Sequence, residues 1–188
     1  MRIVIFDTET TGLFDPNLPE LDIDQPWILQ IGAVVLGKDW EITETLNTVV
    51  IPAADCVFHQ QAMDLHGLTP EVVMEHGKPT RDVLATFRTM CEGADIVATY
   101  NFAFDSRVIR TTALRTDPEE FIARPLWSPD TFEHCIMLQA VEWFGQRVKL
   151  NQCYKRLYDK VLTDAHDAFA DTIAATECFR YMCGATKF

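Results

Sequence analysis

Positive charge is scarce in this chain: 16 Lys and Arg stand against 28 Asp and Glu, a net charge of −12. A surface of that sign repels phosphate, which excludes a general nucleic-acid coat; a nucleic acid would have to bind locally and lose affinity in salt. Where carboxylates hold metal the objection softens, since two divalent ions would bring the sum to about −8. Also missing are a run of about 18 apolar residues and a charged-then-apolar leader, so neither a membrane span nor a secretory signal is expected, and the default compartment is the cytoplasm. The six cysteines, at 56, 91, 135, 153, 178 and 183, form no Cys-x-x-Cys pair and no cluster with histidine at zinc spacing. Free thiols, several of them buried, are the expectation. Repeats, low-complexity segments and linkers are lacking too. The 188 residues, 48% hydrophobic, therefore read as a single domain spanning 1–188, large enough to bury roughly 70% of the surface its unfolded form exposes.

What is present begins at once. Val4, Ile5 and Phe6 form a short apolar run of strand-favouring residues, and Thr10-Thr11-Gly12 is turn chemistry, so residues 3–10 read as a buried strand running into a tight turn. Asp7 and Glu9, two apart on a strand, point the same way and can share a cation; unpaired, they would repel. Residues 14–27 hold three prolines and the acids Asp15, Glu20, Asp22 and Asp24, an acidic loop longer than a hairpin needs. Ile28–Leu36 and Ile42–Ile51 read as the next two strands of an antiparallel meander.

Beyond them the pattern turns helical. His66-Gly67 closes a short helical turn and Thr69-Pro70 caps another start; Thr80–Glu92 is a helix ended by Gly93; Ile96–Tyr100 is a short strand. Phe104–Leu114 is expected as a helix with Arg107, Arg110 and Arg115 open to solvent, followed by a mixed connection over 115–129. A long helix over Thr131–Phe144 capped by Asp130, a shorter one over Asn151–Tyr158 and a last one over 165–182 complete the chain. Strands first, then helices alternating with single strands, point to an α/β fold with a mixed central sheet flanked by helices.

Two further segments carry chemistry. Asn101-x-x-Phe104-Asp105 puts a carboxylate where a helix follows a strand, and His166-x-Ala168-x-x-Asp171 puts a histidine five residues before an aspartate. In one continuous helix those two would sit about 140° apart, so His166 is expected before or at the first turn and Asp171 inside the helix, a mobile base beside a fixed ligand. An all-oxygen ligand set suits Mg2+ or Mn2+, and the absence of a Cys/His cluster disfavours zinc.

In this order, Asp7-x-Glu9-Thr10-Thr11-Gly12, Asn101-x-x-Phe104-Asp105 and His166-x-Ala168-x-x-Asp171 resemble the three motifs of the DEDDh (DnaQ-like) 3′–5′ exonuclease family. His66-Gly67-Leu68-Thr69 and Ser128-Pro129-Asp130-Thr131 echo two weaker family segments. The resemblance implies a ribonuclease H-like fold and a single exonuclease domain in which Asp7, Glu9, Asp105 and Asp171 hold two divalent cations, Mg2+ or Mn2+, with His166 as general base. It implies release of nucleoside 5′-monophosphates from 3′ ends of single-stranded or frayed DNA by a two-metal mechanism. It further implies that Thr10 and Leu13 grip the terminal nucleotide, Leu13 as a wedge between the last two bases, and that His66 lines the same pocket; Leu13 as a core plug is the alternative. Tyr100 and Gln30 depart from the family pattern, where histidine and glutamate are usual, without touching an expected ligand.

Several readings stay open. Nothing in the motifs separates DNA from RNA, so an RNA-trimming exoribonuclease is the runner-up. A proofreading or accessory subunit of a DNA polymerase or replication and repair complex, a homodimer, and an idle binding module are the others. A stand-alone enzyme is expected, because little chain follows Met182 to tether a polymerase. His59, His76 and His134 are expected to be surface or core residues, and Trp127 and Trp143 to pack rather than stack on bases. Arg147, Lys149, Lys155, Arg156 and Lys160 form either a phosphate track or a solvated face.

Overall fold

The structure, a computed structural model, describes residues 1–163 and 165–185; Asp164 and 186–188, part of the expected 1–188 unit, lie outside the described residues. Its frame is a six-stranded mixed sheet. β1 (Ile3–Thr10), β2 (Ile28–Leu36) and β3 (Ile42–Ile51) form the expected antiparallel meander, with β4 (Lys78–Pro79) beyond β3. On the other side of β1 lie β5 (Ile96–Thr99) and β6 (Phe132–Cys135), both parallel, giving the order β4-β3-β2-β1-β5-β6. β1 and β2 are buried along almost their whole length because both of their faces are covered.

Strand alternation sorts the core into two layers. Val4 and Phe6 pack with α3 (Thr80–Cys91), α4 (Phe102–Thr116) and Trp127 on one face. Ile3 and Ile5 pack with α6 (Ile136–Phe144), α7 (Leu150–Tyr158) and α8 (Ala168–Met182) on the other. Asp7 and Glu9 share the parity of Ile3 and Ile5, so β1 directs them to the α8 side. α1 (Gln60–His66) stops at Gly67 in the left-handed region, and α2 (Pro70–His76) starts from the hydroxyl of Thr69, as the local sequence predicts.

Three expectations change. Thr131–Phe144 is not one helix: β6 occupies its first part, because the open edge of β5 binds that backbone in parallel register, Ile96 opposite Phe132 through Thr99 opposite Cys135, and helix propensity gives way to the ladder. Within the expected mixed connection, Asp117 and Pro118 start α5 (Pro118–Ala123), the Asp117 carboxylate accepting from the Glu120 N–H at 3.1 Å. The three arginines of α4 are engaged as well, although Arg107 and Arg110 still reach solvent. Arg107 lies over Phe14 and pairs with Glu20; Arg110 lies over Trp127 and pairs with Glu133. Arg115 stacks on Trp27 and donates to the carbonyls of Asp22, Gln25 and Pro26. With the buried Gln25, whose amide serves Asp15, Leu18 and Pro19, they turn the acidic loop into a fixed lobe. The cysteines are free, with 91, 153 and 178 buried, and Trp127 is in the core.

Candidate active site

Each expected metal ligand arrives from a different element. Asp7 and Glu9 come from the carboxyl half of β1, Asp105 from the first turn of α4 just past β5, and Asp171 from the first turn of α8. Buried glycine chemistry brings α8 in: a Cβ on Gly32 of β2 would lie 2.3 Å from the Ala168 carbonyl oxygen, so only glycine lets the helix start touch the sheet. The Thr172 hydroxyl then donates to the Gly32 carbonyl at 3.0 Å.

His166 stands outside the helix, exposed, with a left-handed backbone (φ 71°), and its N–H donates to Asp171 Oδ2 at 3.2 Å. The position of His166 ahead of the helix, expected from the spacing, is what the fold adopts. Ligand atoms of Glu9, His166 and Asp171 all lie within 4.8 Å of one another.

Electrostatics set these carboxylates against one another. Burial, and then Asp105, Glu9, Asp171 and Asp167, hold the Asp7 carboxyl well above the usual carboxylate range. Glu9 is pushed up to about 8 by burial and then by Asp171, Asp105 and Asp167. Asp105 rises to about 6 through burial, opposed by hydroxyls on both of its oxygens: Thr8 donates to Oδ1 at 2.8 Å and Thr99 to Oδ2 at 3.1 Å. Asp171 is raised by burial, and its Oδ1 is buried without a hydrogen-bond partner. Four crowded carboxylates with a buried lone pair left unused are the donor set that a hard divalent cation satisfies.

Beside them opens a cleft of about 640 Å³ lined by Glu9, Thr10, Leu13, Phe14, His66 and Phe104, among others. Leu13 is 78% exposed, which removes the core-plug alternative. His66 Nε2 meets the Thr10 carbonyl at 3.0 Å while Nδ1 accepts from the Leu68 N–H at 3.1 Å. A carbonyl only accepts, so Nε2 carries the proton and the ring is neutral; burial lowers its pKa, in the same sense.

Sequence reasoning missed several residues here. His59, expected to be bland, is a wall of the cleft, packed on Gly12, and its N–H donates to the Thr11 carbonyl at 2.9 Å. Thr8 and Thr99 have no one-dimensional signal linking them to Asp105. Gln30 faces Glu9 across the β1–β2 pair, and its amide donates to Asp167 Oδ2 at 2.7 Å and accepts from the Ala168 N–H at 3.2 Å. Asp167 in turn caps α8, accepting from Phe169 and Ala170. Gln30 thus braces the backbone between His166 and Asp171, and the Asp-Ala step after His166 is a helix-start signal that could have pointed to it.

A sequence profile described as Exonuclease, that of the RNase T family, matches residues 4–179. A DNA polymerase III subunit epsilon-like protein of Rhodobacter capsulatus is 31% identical over 193 residues, covering 100% of this chain and 24% of the relative, so the chain spans about a quarter of that curated protein. Among solved structures, E. coli exonuclease I in complex with a dT13 oligonucleotide superposes with a TM-score of 0.74 at 18% identity, over 95% of this chain and 40% of that one. The moderately thermophilic exonuclease I of Methylocaldum szegediense does so at 0.74 and 21%, over 97% and 40%. The architecture is ribonuclease H-like, and the chain belongs to the RNase T, or DnaQ-like, exonuclease family.

Proposed function

We propose that this protein is a metal-dependent 3′–5′ exonuclease of the DEDDh type that releases nucleoside 5′-monophosphates from 3′ ends of single-stranded or frayed DNA. The observation that carries the proposal is the convergence of Glu9, His166 and Asp171 within 4.8 Å from two separate elements. Asp7, Glu9, Asp105 and Asp171 would hold the cations, which when bound supply Lewis acidity to the attacking water and to the departing 3′-oxygen. Every other part is the chain's own. The His166 imidazole takes the proton of the attacking water, and its exposure lets that proton leave to solvent. Thr8 and Thr99 freeze the Asp105 carboxylate in one orientation, so no reorganisation is needed during the reaction. Leu13, Phe14 and Phe104 offer apolar area to the terminal nucleoside.

Preference for DNA is supported by the oligothymidylate held by the exonuclease I neighbour, and a polymerase partner is a second reading that rests on the name of the Rhodobacter relative. The test is degradation of matched 5′-labelled DNA and RNA single strands with Mg2+, Mn2+ or EDTA, beside His166→Ala. A ladder shortening from the 3′ end, dependent on metal and lost in the variant, is expected. Digestion of RNA alone would move the assignment to RNA trimming, and no digestion of either would refute it.

A further inference from the structure

On this acidic chain the arginines are almost all spent internally. Arg2, Arg81, Arg88, Arg107, Arg110 and Arg124 pair with carboxylates, and Arg115 and Arg180 donate to backbone carbonyls. One segment departs from this. Arg147, Lys149, Lys155, Arg156 and Lys160 are all exposed, and among the described residues none has an acidic partner; Asp159 is the only acid between 145 and 160. Arg156 only rests on the Phe144 ring, at 5.2 Å, which leaves its charge outward.

The placement ties this segment to the active site. Tyr100 follows β5, next to Asn101 and the helix start that carries Asp105, and its buried hydroxyl donates to the Val148 carbonyl at 2.8 Å. Val148 is buried between Arg147 and Lys149, so those two cations flank a residue pinned at the site's end of the sheet. From there α7 runs along α8, and at its far end the Tyr158 hydroxyl donates to the Glu177 carbonyl at 2.9 Å. The cations therefore extend from the catalytic end of the molecule along one helix and into the connection that leads to His166.

We propose that Arg147, Lys149, Lys155, Arg156 and Lys160 form the track along which the phosphates of a single strand lie while its 3′ end occupies the active site. The proposal rests on the exonuclease function above and supplies what a chain of charge −12 otherwise lacks, a local attractive field for a polyanion. For a single strand each neutralised phosphate adds about 0.7 to the slope of log affinity against log salt. Five contacts correspond to about a 100-fold loss of affinity between 50 and 200 mM salt.

The test is fluorescence anisotropy of a labelled oligothymidylate of about 16 nucleotides, in Ca2+, titrated at several NaCl concentrations. Changing all five residues to Gln is expected to lower the slope by about 3.5, and Arg147→Gln with Lys149→Gln by about 1.4. Lys38→Gln with Lys78→Gln, free cations elsewhere on the surface, serves as the control for net charge and is expected to leave the slope alone. Equal slopes for the wild type and the five-residue variant, or an equal drop in the Lys38 and Lys78 control, would overturn the track. Wild-type hydrolysis of thymidine 5′-monophosphate p-nitrophenyl ester, which has no upstream phosphate, separates the two proposals. Ester turnover with an unmoved slope sinks only the track, whereas neither turnover nor binding sinks the exonuclease assignment and the track with it.

Discussion

Replacing Glu9 with Gln should stabilise the metal-free protein at neutral pH. The folded Glu9 carboxyl holds its proton up to about 8, against an ordinary value of 4.5. Between those values the folded chain binds protons that the unfolded chain has released, so this group's contribution to stability falls as pH rises through that window. At pH 7 the penalty is about 3 kcal/mol, and at pH 5 about 1 kcal/mol. Gln keeps the shape and removes the charge. In EDTA, Glu9→Gln should therefore melt about 6–12 °C above the wild type at pH 7, with the gap closing toward pH 5. Millimolar Mn2+ should reverse the order, raising the wild type by neutralising the carboxylates and doing little for the variant. Thermal denaturation at the two pH values, with and without Mn2+, reads all of this. A variant less stable than the wild type at pH 7 in EDTA, or a gap that does not change with pH, would refute the idea that the site stores repulsion.

Other substitutions probe the supports. Gln30→Met should strand the Ala168 N–H and one bond of Asp167, costing about 1–3 kcal/mol in urea unfolding and lowering kcat more than it raises KM, because His166 and Asp171 lose their brace. Gly32→Ala forces a methyl group against the Ala168 carbonyl; a loss of about 1–3 kcal/mol, with weakened Mn2+ binding by calorimetry, is expected. Leu13→Ala, at an exposed position, should leave stability within about 0.5 kcal/mol while raising KM for oligonucleotides. Tyr100→Phe leaves the buried Val148 carbonyl unbonded and should cost about 1–3 kcal/mol by denaturant titration.

The placement of the proposed site residues was legible because it is set locally: alternation puts Asp7 and Glu9 on one face of β1, and helix geometry puts His166 off the helix that carries Asp171. The supports were not. Thr8 and Gln30 act on partners 97 and 137 residues away, pairs that nothing in a linear pattern marks, and Thr99 meets Asp105 only through the geometry of the turn between β5 and α4. Thr131–Cys135 failed for a related reason, since an unfilled strand edge 36 residues earlier decides its conformation. Arg107 and Arg110 do reach solvent, as read, but the partners of the three arginines were not legible, because the acidic loop, irregular in sequence, folds back onto α4 to meet Arg107 and Arg115, and Glu133 comes from β6 to meet Arg110.

The grip on Asp105 has a consequence for the life of the chain before it is folded. Its two oxygens are held by hydroxyls from β1 and β5, strands that pair only after some 90 intervening residues have been placed, and Asp171 joins only when the last helix docks. A nascent or half-folded molecule therefore has scattered acids and no assembled site. On the proposed function, nuclease activity would be the final event of folding, arriving only when sheet and last helix have closed together.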